Sequence, residues 1–143
     1  MLRELGTNGI SVVALMTRIA QRFGARRSGV IAVVSSVAGD RGRSSNYVYG
    51  SAKALVTAFA SGLRQRLYGS GVSVVTIKPG FVDTPMTAAF PKGALWVKPG
   101  QVAADIVRAI DRAIPVSYLP WFWRPIMVIV RAIPERIFQR LKM

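Results

Sequence analysis

Apolar residues along the chain repeat at two spacings, one typical of buried strands and one typical of helices. Short continuous runs rich in β-branched residues cover 30–34 and 72–77, which is the pattern of strands buried on both faces. Helical periodicity predicts helices over residues 8–23, 47–67 and 101–114. Strands that alternate with helices of this length predict parallel pairing and right-handed crossovers.

The predicted sheet is small for its class. Parallel α/β sheets normally contain several strands, whereas residues 1–115 supply only two. We therefore expect the remaining strands to come from a partner chain or from an N-terminal half. Residues 116–143 differ in composition, since they are aromatic, basic and interrupted by prolines. We treat them as a separate C-terminal segment.

This C-terminal segment has an amphipathic pattern. Five apolar residues share one side at helical spacing, namely Ile126, Val130, Ile133, Ile137 and Leu141. The opposite side carries polar residues, namely Arg131, Glu135 and Lys142. With flanking tryptophans and basic residues, residues 121–142 suit a helix lying on an anionic membrane, although a helix packed on the domain or on a second subunit has the same pattern. Pro134 is expected to kink or restart the helix.

Composition excludes several kinds of chemistry. The chain has 143 residues without cysteine or histidine, which excludes disulfides, Cys or His metal sites, Ser-His triads and thiol nucleophiles. Only 6 acidic residues oppose 20 basic ones, so we expect no carboxylate metal site. The net charge of +14 is compatible with nucleic acid, but the basic residues are scattered and the aromatic residues lie mostly in the C-terminal segment. We expect no nucleic-acid partner.

Polar groups that could carry chemistry follow both predicted strands. Ser35 and Ser36 end the first strand, residues 78–80 end the second, and ligands of parallel α/β sheets bind at this edge. Tyr49 and Lys53, four residues apart, project from one face of the intervening helix. A nearby ammonium lowers the pKa of a phenol, which would make Tyr49 an acid and base near neutral pH. Each feature alone is also compatible with an ordinary helix, cap or turn.

Four motifs in this order resemble the short-chain dehydrogenase/reductase family. They are the context of Asn8 and the segments 35–39, 49–53 and 79–84. The resemblance implies Tyr49 as the catalytic acid/base and Lys53 as the residue that orients the nicotinamide ribose and lowers the tyrosine pKa. It selects Ser36, thirteen residues before the tyrosine, to position the carbonyl. It implies that Asn8 holds a water molecule that takes part in a proton relay.

The resemblance also implies a cofactor, NAD or NADP. Besides Tyr49 and Lys53, the residues expected at its nicotinamide half are Pro79, Gly80, Val82 and Thr84. The family's glycine-rich turn and its Asn-Asn-Ala-Gly strand, which would bind pyrophosphate and adenosine, are absent from the sequence. We therefore expect the C-terminal half of a Rossmann-like doubly wound parallel sheet, with Met1 as an internal start or truncation. The expected reaction interconverts a ketone and a secondary alcohol.

A finer resemblance concerns the segments 39–49 and 121–141. They are similar to a subgroup that includes the decaprenylphosphoryl-pentose 2-keto reductase of mycobacterial arabinan synthesis. This similarity implies a lipid-linked keto-sugar as substrate and favours NADPH. We expect a homo-oligomer in the full-length form and a cytoplasmic location, peripheral on the inner membrane face if the C-terminal segment binds there. The alternative is a non-catalytic fragment that binds a membrane or a partner.

Overall fold

The computed structural model describes residues 1–141. It contains the strands β1 (Gly29–Val34), β2 (Val72–Pro79) and β3 (Val116–Leu119). Its α-helices are α1 (Leu2–Leu5), α2 (Ser11–Arg26), α3 (Tyr47–Arg66), α4 (Pro99–Asp111), α5 (Trp123–Ala132) and α6 (Glu135–Phe138). Single 3-10 turns occur at Val37–Gly39 and Pro85–Thr87. The three helices and two strands predicted from periodicity are present, with ends that differ by a few residues.

The strands form one parallel sheet in the order β1-β2-β3. Gly29 pairs with Val72 and Val34 with Ile77, while Thr76 begins the pairing of β2 with β3. The α/β fold and parallel pairing are therefore confirmed. The expected number of strands was wrong, because β3 lies in the segment that we treated as separate from the sheet. Four residues with a partly polar pattern are too short to give a strand signal.

Helices cover both faces of the sheet. On one face, α2 and α3 pack with β1 and β2 in an apolar cluster that includes Met16, Val33, Val56 and Val74. On the other face, α4 packs against β2 and β3 through Val75, Ile77, Val102, Ala109 and Leu119. Because successive strand residues point to opposite faces, the run of valines in β2 serves both clusters. This arrangement is the doubly wound layering that the family resemblance implied.

The first helical region begins at Leu2, earlier than the predicted residue 8. A π-helical turn, Gly6–Ile10, connects α1 to α2 and contains Asn8. Gly9 lies against α3, where an added Cβ would stand 3.1 Å from a methyl of Leu55. A single π-turn inside a helix frequently marks a functional position.

The C-terminal segment packs on the domain through one side. Trp123, Met127 and Val37 form a small cluster, and Ile126 and Val130 are partly buried against it. As predicted, the helix breaks at Pro134, because the residue before a proline is restricted to extended backbone and Ile133 adopts it. The predicted five-residue apolar side is therefore interrupted. Its last two members are exposed, namely Ile137 and Leu141.

Lys142, expected on the polar side of this segment, lies outside the described residues. Within residues 1–141, no helix is both long enough and apolar enough to cross a bilayer.

Candidate functional site

Ser36 lies at the carboxyl end of β1, where the sequence placed it. Its backbone is extended, and its Oγ accepts a hydrogen bond of 3.1 Å from the N–H of Ala38, which caps the turn Val37–Gly39. The same hydroxyl lies 3.5 Å from the carbonyl oxygen of Pro79, at the end of β2. The serine therefore stands between the two strand ends and is fixed by a short, buried turn.

Two glycines allow this turn to approach the start of α3. A Cβ on Gly39 would lie 2.7 Å from the carbonyl carbon of Lys53, and one on Gly50 would lie 2.9 Å from the carbonyl oxygen of Ala38. No side chain fits at these distances. The glycines thus bring the Ser36 turn against the helix that carries Tyr49.

Ser36, Tyr49 and Lys53 come together in the structure. The side chain of Ser36 lies close enough to the Tyr49 phenol to lower its pKa. The ammonium of Lys53 lies 5.6 Å from the centre of the Tyr49 ring and donates a hydrogen bond of 3.2 Å to the carbonyl of Val34. Tyr49 keeps part of its surface exposed.

The electrostatics of Tyr49 differ from the expectation. Burial raises the pKa of its phenol, the side chain of Ser36 opposes this, and the charge of Glu4 adds to the increase. Ser36, and not Lys53, is the neighbour that lowers the Tyr49 pKa here. Burial in turn lowers the pKa of Lys53 itself. At neutral pH Tyr49 is therefore a phenol, the form that can donate a proton.

Ser35 has a different environment from Ser36. Its hydroxyl donates to the carbonyl of Lys53 at 2.9 Å and lies 2.7 Å from the hydroxyl of Thr57. These contacts fix the backbone of α3 against β1. Ser35 is thus occupied in packing, whereas Ser36 faces Tyr49.

Asn8 is close to this group in the fold but is not joined to it. Its amide donates to the carboxylate of Glu4 at 2.7 Å, and within residues 1–141 no hydrogen bond links it to Ser36, Tyr49 or Lys53. Sequence reasoning missed Glu4, whose charge acts on both Tyr49 and Lys53. The signal was its spacing of four residues before Asn8 on a helix.

The residues expected at the nicotinamide lie in the segment after β2. Gly80 donates its N–H to the carbonyl of Leu119 at 2.9 Å, and an added Cβ would stand 1.9 Å from Nε1 of Trp123. Val82 bridges to Val97, and Thr84 caps the turn Pro85–Thr87. Pro79, Gly80, Val82 and Thr84 are all partly exposed. They form an ordered segment beside Ser36.

Comparison with known proteins gives consistent matches. The short chain dehydrogenase family model matches residues 2–94. The uncharacterized oxidoreductase Rv2073c of Mycobacterium tuberculosis is 41% identical over 135 residues, 94% of this chain and 54% of that protein. An uncharacterized oxidoreductase of Streptomyces coelicolor is 43% identical over 115 residues, which are 79% of this chain and 45% of that protein. The chain spans about half the length of these curated relatives.

Solved structures share the fold. A short chain dehydrogenase from Burkholderia cenocepacia in complex with NADP superposes with a TM-score of 0.83 at 19% identity, covering 97% of this chain and 57% of that one. One from Sphingobium yanoikuyae in complex with NADPH gives 0.70 at 21% identity, covering 90% and 55%. Because the family model matches well over half of the sequence, this chain belongs to the short-chain dehydrogenase family.

Proposed function

We propose that this chain carries the catalytic half of an NAD(P)-dependent oxidoreductase that interconverts a ketone and a secondary alcohol. The observation that carries the proposal is the assembly of Ser36, Tyr49 and Lys53 at the carboxyl end of β1, next to the segment that begins at Pro79. The relatives named as oxidoreductases support it.

In this proposal Tyr49 is the general acid and base. When bound, a nicotinamide cofactor supplies or accepts the hydride at the carbonyl carbon. The Tyr49 phenol gives its proton to the carbonyl oxygen during reduction and regains one afterwards. Ser36, whose side chain acts on the Tyr49 phenol, is placed to hold the same oxygen as charge develops on it. The pKa of Tyr49 is raised, so at neutral pH the phenol carries the proton that reduction uses.

The residues present suit the nicotinamide end of the cofactor. Lys53 and Thr84 offer an ammonium and a hydroxyl, which can hydrogen-bond to ribose and carboxamide oxygens. Asn8 would support proton supply to Tyr49. The sequence contains no G-x-G-x-x-G turn for a pyrophosphate. We propose that residues outside this chain bind the adenosine side, and that NADPH is the cofactor, in line with the subgroup resemblance.

The 143-residue chain alone is therefore expected to bind NADPH weakly. Losing the pyrophosphate and adenosine contacts should move the dissociation constant towards about 1 mM or weaker, since each ~1.4 kcal/mol costs tenfold in affinity. Isothermal calorimetry on the purified chain measures this. Micromolar binding accompanied by hydride transfer would contradict the division of the cofactor site between this chain and other residues.

A lipid-linked keto-sugar is the substrate that we propose. The loop after the site exposes Met86 and Phe90, which could contact an apolar part of a substrate.

Exposed Leu15 and Leu55 on α2 and α3 support pairing of two copies in the full-length protein. The substrate class and the pairing of two copies are predictions. The division of the chain into residues 1–115 and 116–143 is a prediction as well.

A second candidate function is binding to an anionic membrane surface. One side of the C-terminal segment packs on the domain, whereas its outer side exposes Trp121, Val128, Ile129 and Ile137. Its exposed basic residues are Arg124, Arg131, Arg136 and Arg140. Glu135 is the sole acidic residue between positions 120 and 143, and it is paired with Arg41. Apolar side chains among exposed positive charges favour an anionic interface.

Replacing both Val128 and Ile129 by serine should weaken binding to vesicles of phosphatidylglycerol and phosphatidylcholine about 100-fold or more, because burying each side chain contributes ~1.5 kcal/mol or more. Co-sedimentation measures this. The matched control is Val107→Ser on α4, which lies outside the C-terminal segment. Val107 is exposed to a similar extent, 56% against 65% for Ile129. Equal binding by both variants and by the parent would contradict membrane contact through this side.

A further inference from the structure

A buried ion pair lies beside the group of Ser36, Tyr49 and Lys53. The carboxylate of Asp40 pairs with the ammonium of Lys78, and their side chains are only 2% and 7% exposed. Tyr118 donates its hydroxyl to the second oxygen of Asp40 at 2.7 Å. We call Asp40, Lys78 and Tyr118 the Asp40 network. Burial and the Asp40 carboxylate raise the pKa of Tyr118 to about 12, so its hydroxyl remains a donor.

Stability alone does not account for this network. Removing two charges from water is costly, and well-packed apolar residues of the same size would stabilise a fold as well or better. In some proteins buried ion pairs specify one arrangement, because each charge is strongly destabilising without its partner. The position of the Asp40 network in the fold is therefore evidence for its role.

Each member of the network adjoins a segment of the site. Asp40 follows the turn Val37–Gly39, and its N–H donates to the carbonyl of Val37 at 3.2 Å. Lys78 immediately precedes Pro79, whose carbonyl lies against the Ser36 hydroxyl. Tyr118 precedes Leu119, whose carbonyl accepts the N–H of Gly80. The network thus connects the turn after Ser36 with the segment expected at the nicotinamide.

The next residue extends this connection to the C-terminal segment. Arg41 donates to the carbonyls of Val130 and Ile133, each at 2.6 Å, at the end of α5. Its guanidinium lies 3.7 Å from the centre of the Phe138 ring. Trp123, the first residue of α5, lies against Gly80. The C-terminal segment therefore also contacts the Pro79–Gly80 segment of the site.

We propose that Asp40 is a positioning residue that fixes the Ser36 turn relative to the Pro79–Gly80 segment through Lys78 and Tyr118. The inference rests on the proposed function, in which the serine and the nicotinamide must meet at one carbonyl group. The predicted role is local: without the Asp40 carboxylate these two segments move relative to each other while the strands stay paired.

Hydrogen exchange of the full chain, followed by mass spectrometry, tests this role. In Asp40→Asn we expect exchange to be about tenfold faster in peptides covering 36–40 and 78–82, because an unmade buried hydrogen bond has an effect of this size. Peptides of the strand core at 72–76 should exchange as in the parent. Asp105→Asn is the matched control, because it removes one carboxylate from a more exposed ion pair with Arg108. It should change neither site segment.

The double variant Asp40→Asn/Lys78→Met separates positioning from stability. It leaves no buried charge unpaired, so its urea midpoint should recover, yet the two site segments should still exchange faster than in the parent. Recovery of parental exchange in the double variant, or a uniform increase along the whole chain in Asp40→Asn, would overturn the proposal. If Asp40→Asn does not fold, Tyr118→Phe carries the test, because it frees one Asp40 oxygen and keeps the ion pair.

The exchange experiment needs neither cofactor nor turnover. A failure of the proposed oxidoreductase function would therefore appear as absent hydride transfer with the exchange pattern intact. A failure of the positioning role would appear in the exchange pattern whatever the activity.

Discussion

Replacing Tyr49 by phenylalanine is expected to remove nearly all turnover, with a loss of about 100-fold or more, which is the usual contribution of a general acid. The variant keeps the ring near which Lys53 lies and loses only the hydroxyl, on whose pKa Ser36 acts. Because the sequence contains no histidine, no side chain of that type can replace it. NADPH should still bind to Tyr49→Phe, since the fold and the segment after β2 are unchanged.

The measurement is NADPH consumption followed by absorbance with a panel of ketones. The assay uses a fusion protein in which this chain is joined to the part of the Rv2073c polypeptide that lies outside the region of similarity. Tyr47→Phe is the matched control, because Tyr47 lies on the same helix and is largely exposed. Turnover of Tyr49→Phe within a few-fold of the parent would exclude Tyr49 as the acid and base.

Replacing Gly80 by alanine is expected to destabilise the protein by about 2 kcal/mol or more. The added methyl group would stand 1.9 Å from Nε1 and 2.0 Å from Cε2 of Trp123, a buried ring that cannot move without displacing α5. Urea unfolding should therefore show a lower midpoint.

Gly62→Ala is the matched control, and it should have the opposite sign. Gly62 lies inside α3 with no atom within 4 Å of an added Cβ, so alanine should stabilise the protein by about 0.5–1 kcal/mol. In a Trp123→Leu background the effect of Gly80→Ala should shrink, because the obstructing ring is gone. An undiminished effect in that background would show that Trp123 does not limit the space at Gly80.

The sequence alone determined the fold class and the location of the site. The β-branched runs at 30–34 and 72–77 and the helical periodicity between them express the local geometry of strands and helices, which repeats every few residues. They therefore predicted the parallel pairing and the edge at which Ser36, Tyr49 and Lys53 meet. The resemblance of short motifs to those of the short-chain dehydrogenase/reductase family then selected these three residues.

Contacts between distant segments were decided only by the tertiary structure. Lys78 is a charged residue at the end of a buried strand, which signals that it needs a partner, but its pairing with Asp40, 38 residues away, follows from how β1, β2 and β3 are placed. The direction of the Tyr49 pKa likewise depends on packing, because burial of the phenol raises it against the expectation. Strand β3 forms because β2 offers a free edge, since four residues have little strand preference of their own. Periodicity shows which side of an element is apolar. How deeply that side is buried, and against which residues, depends on the elements that pack against it.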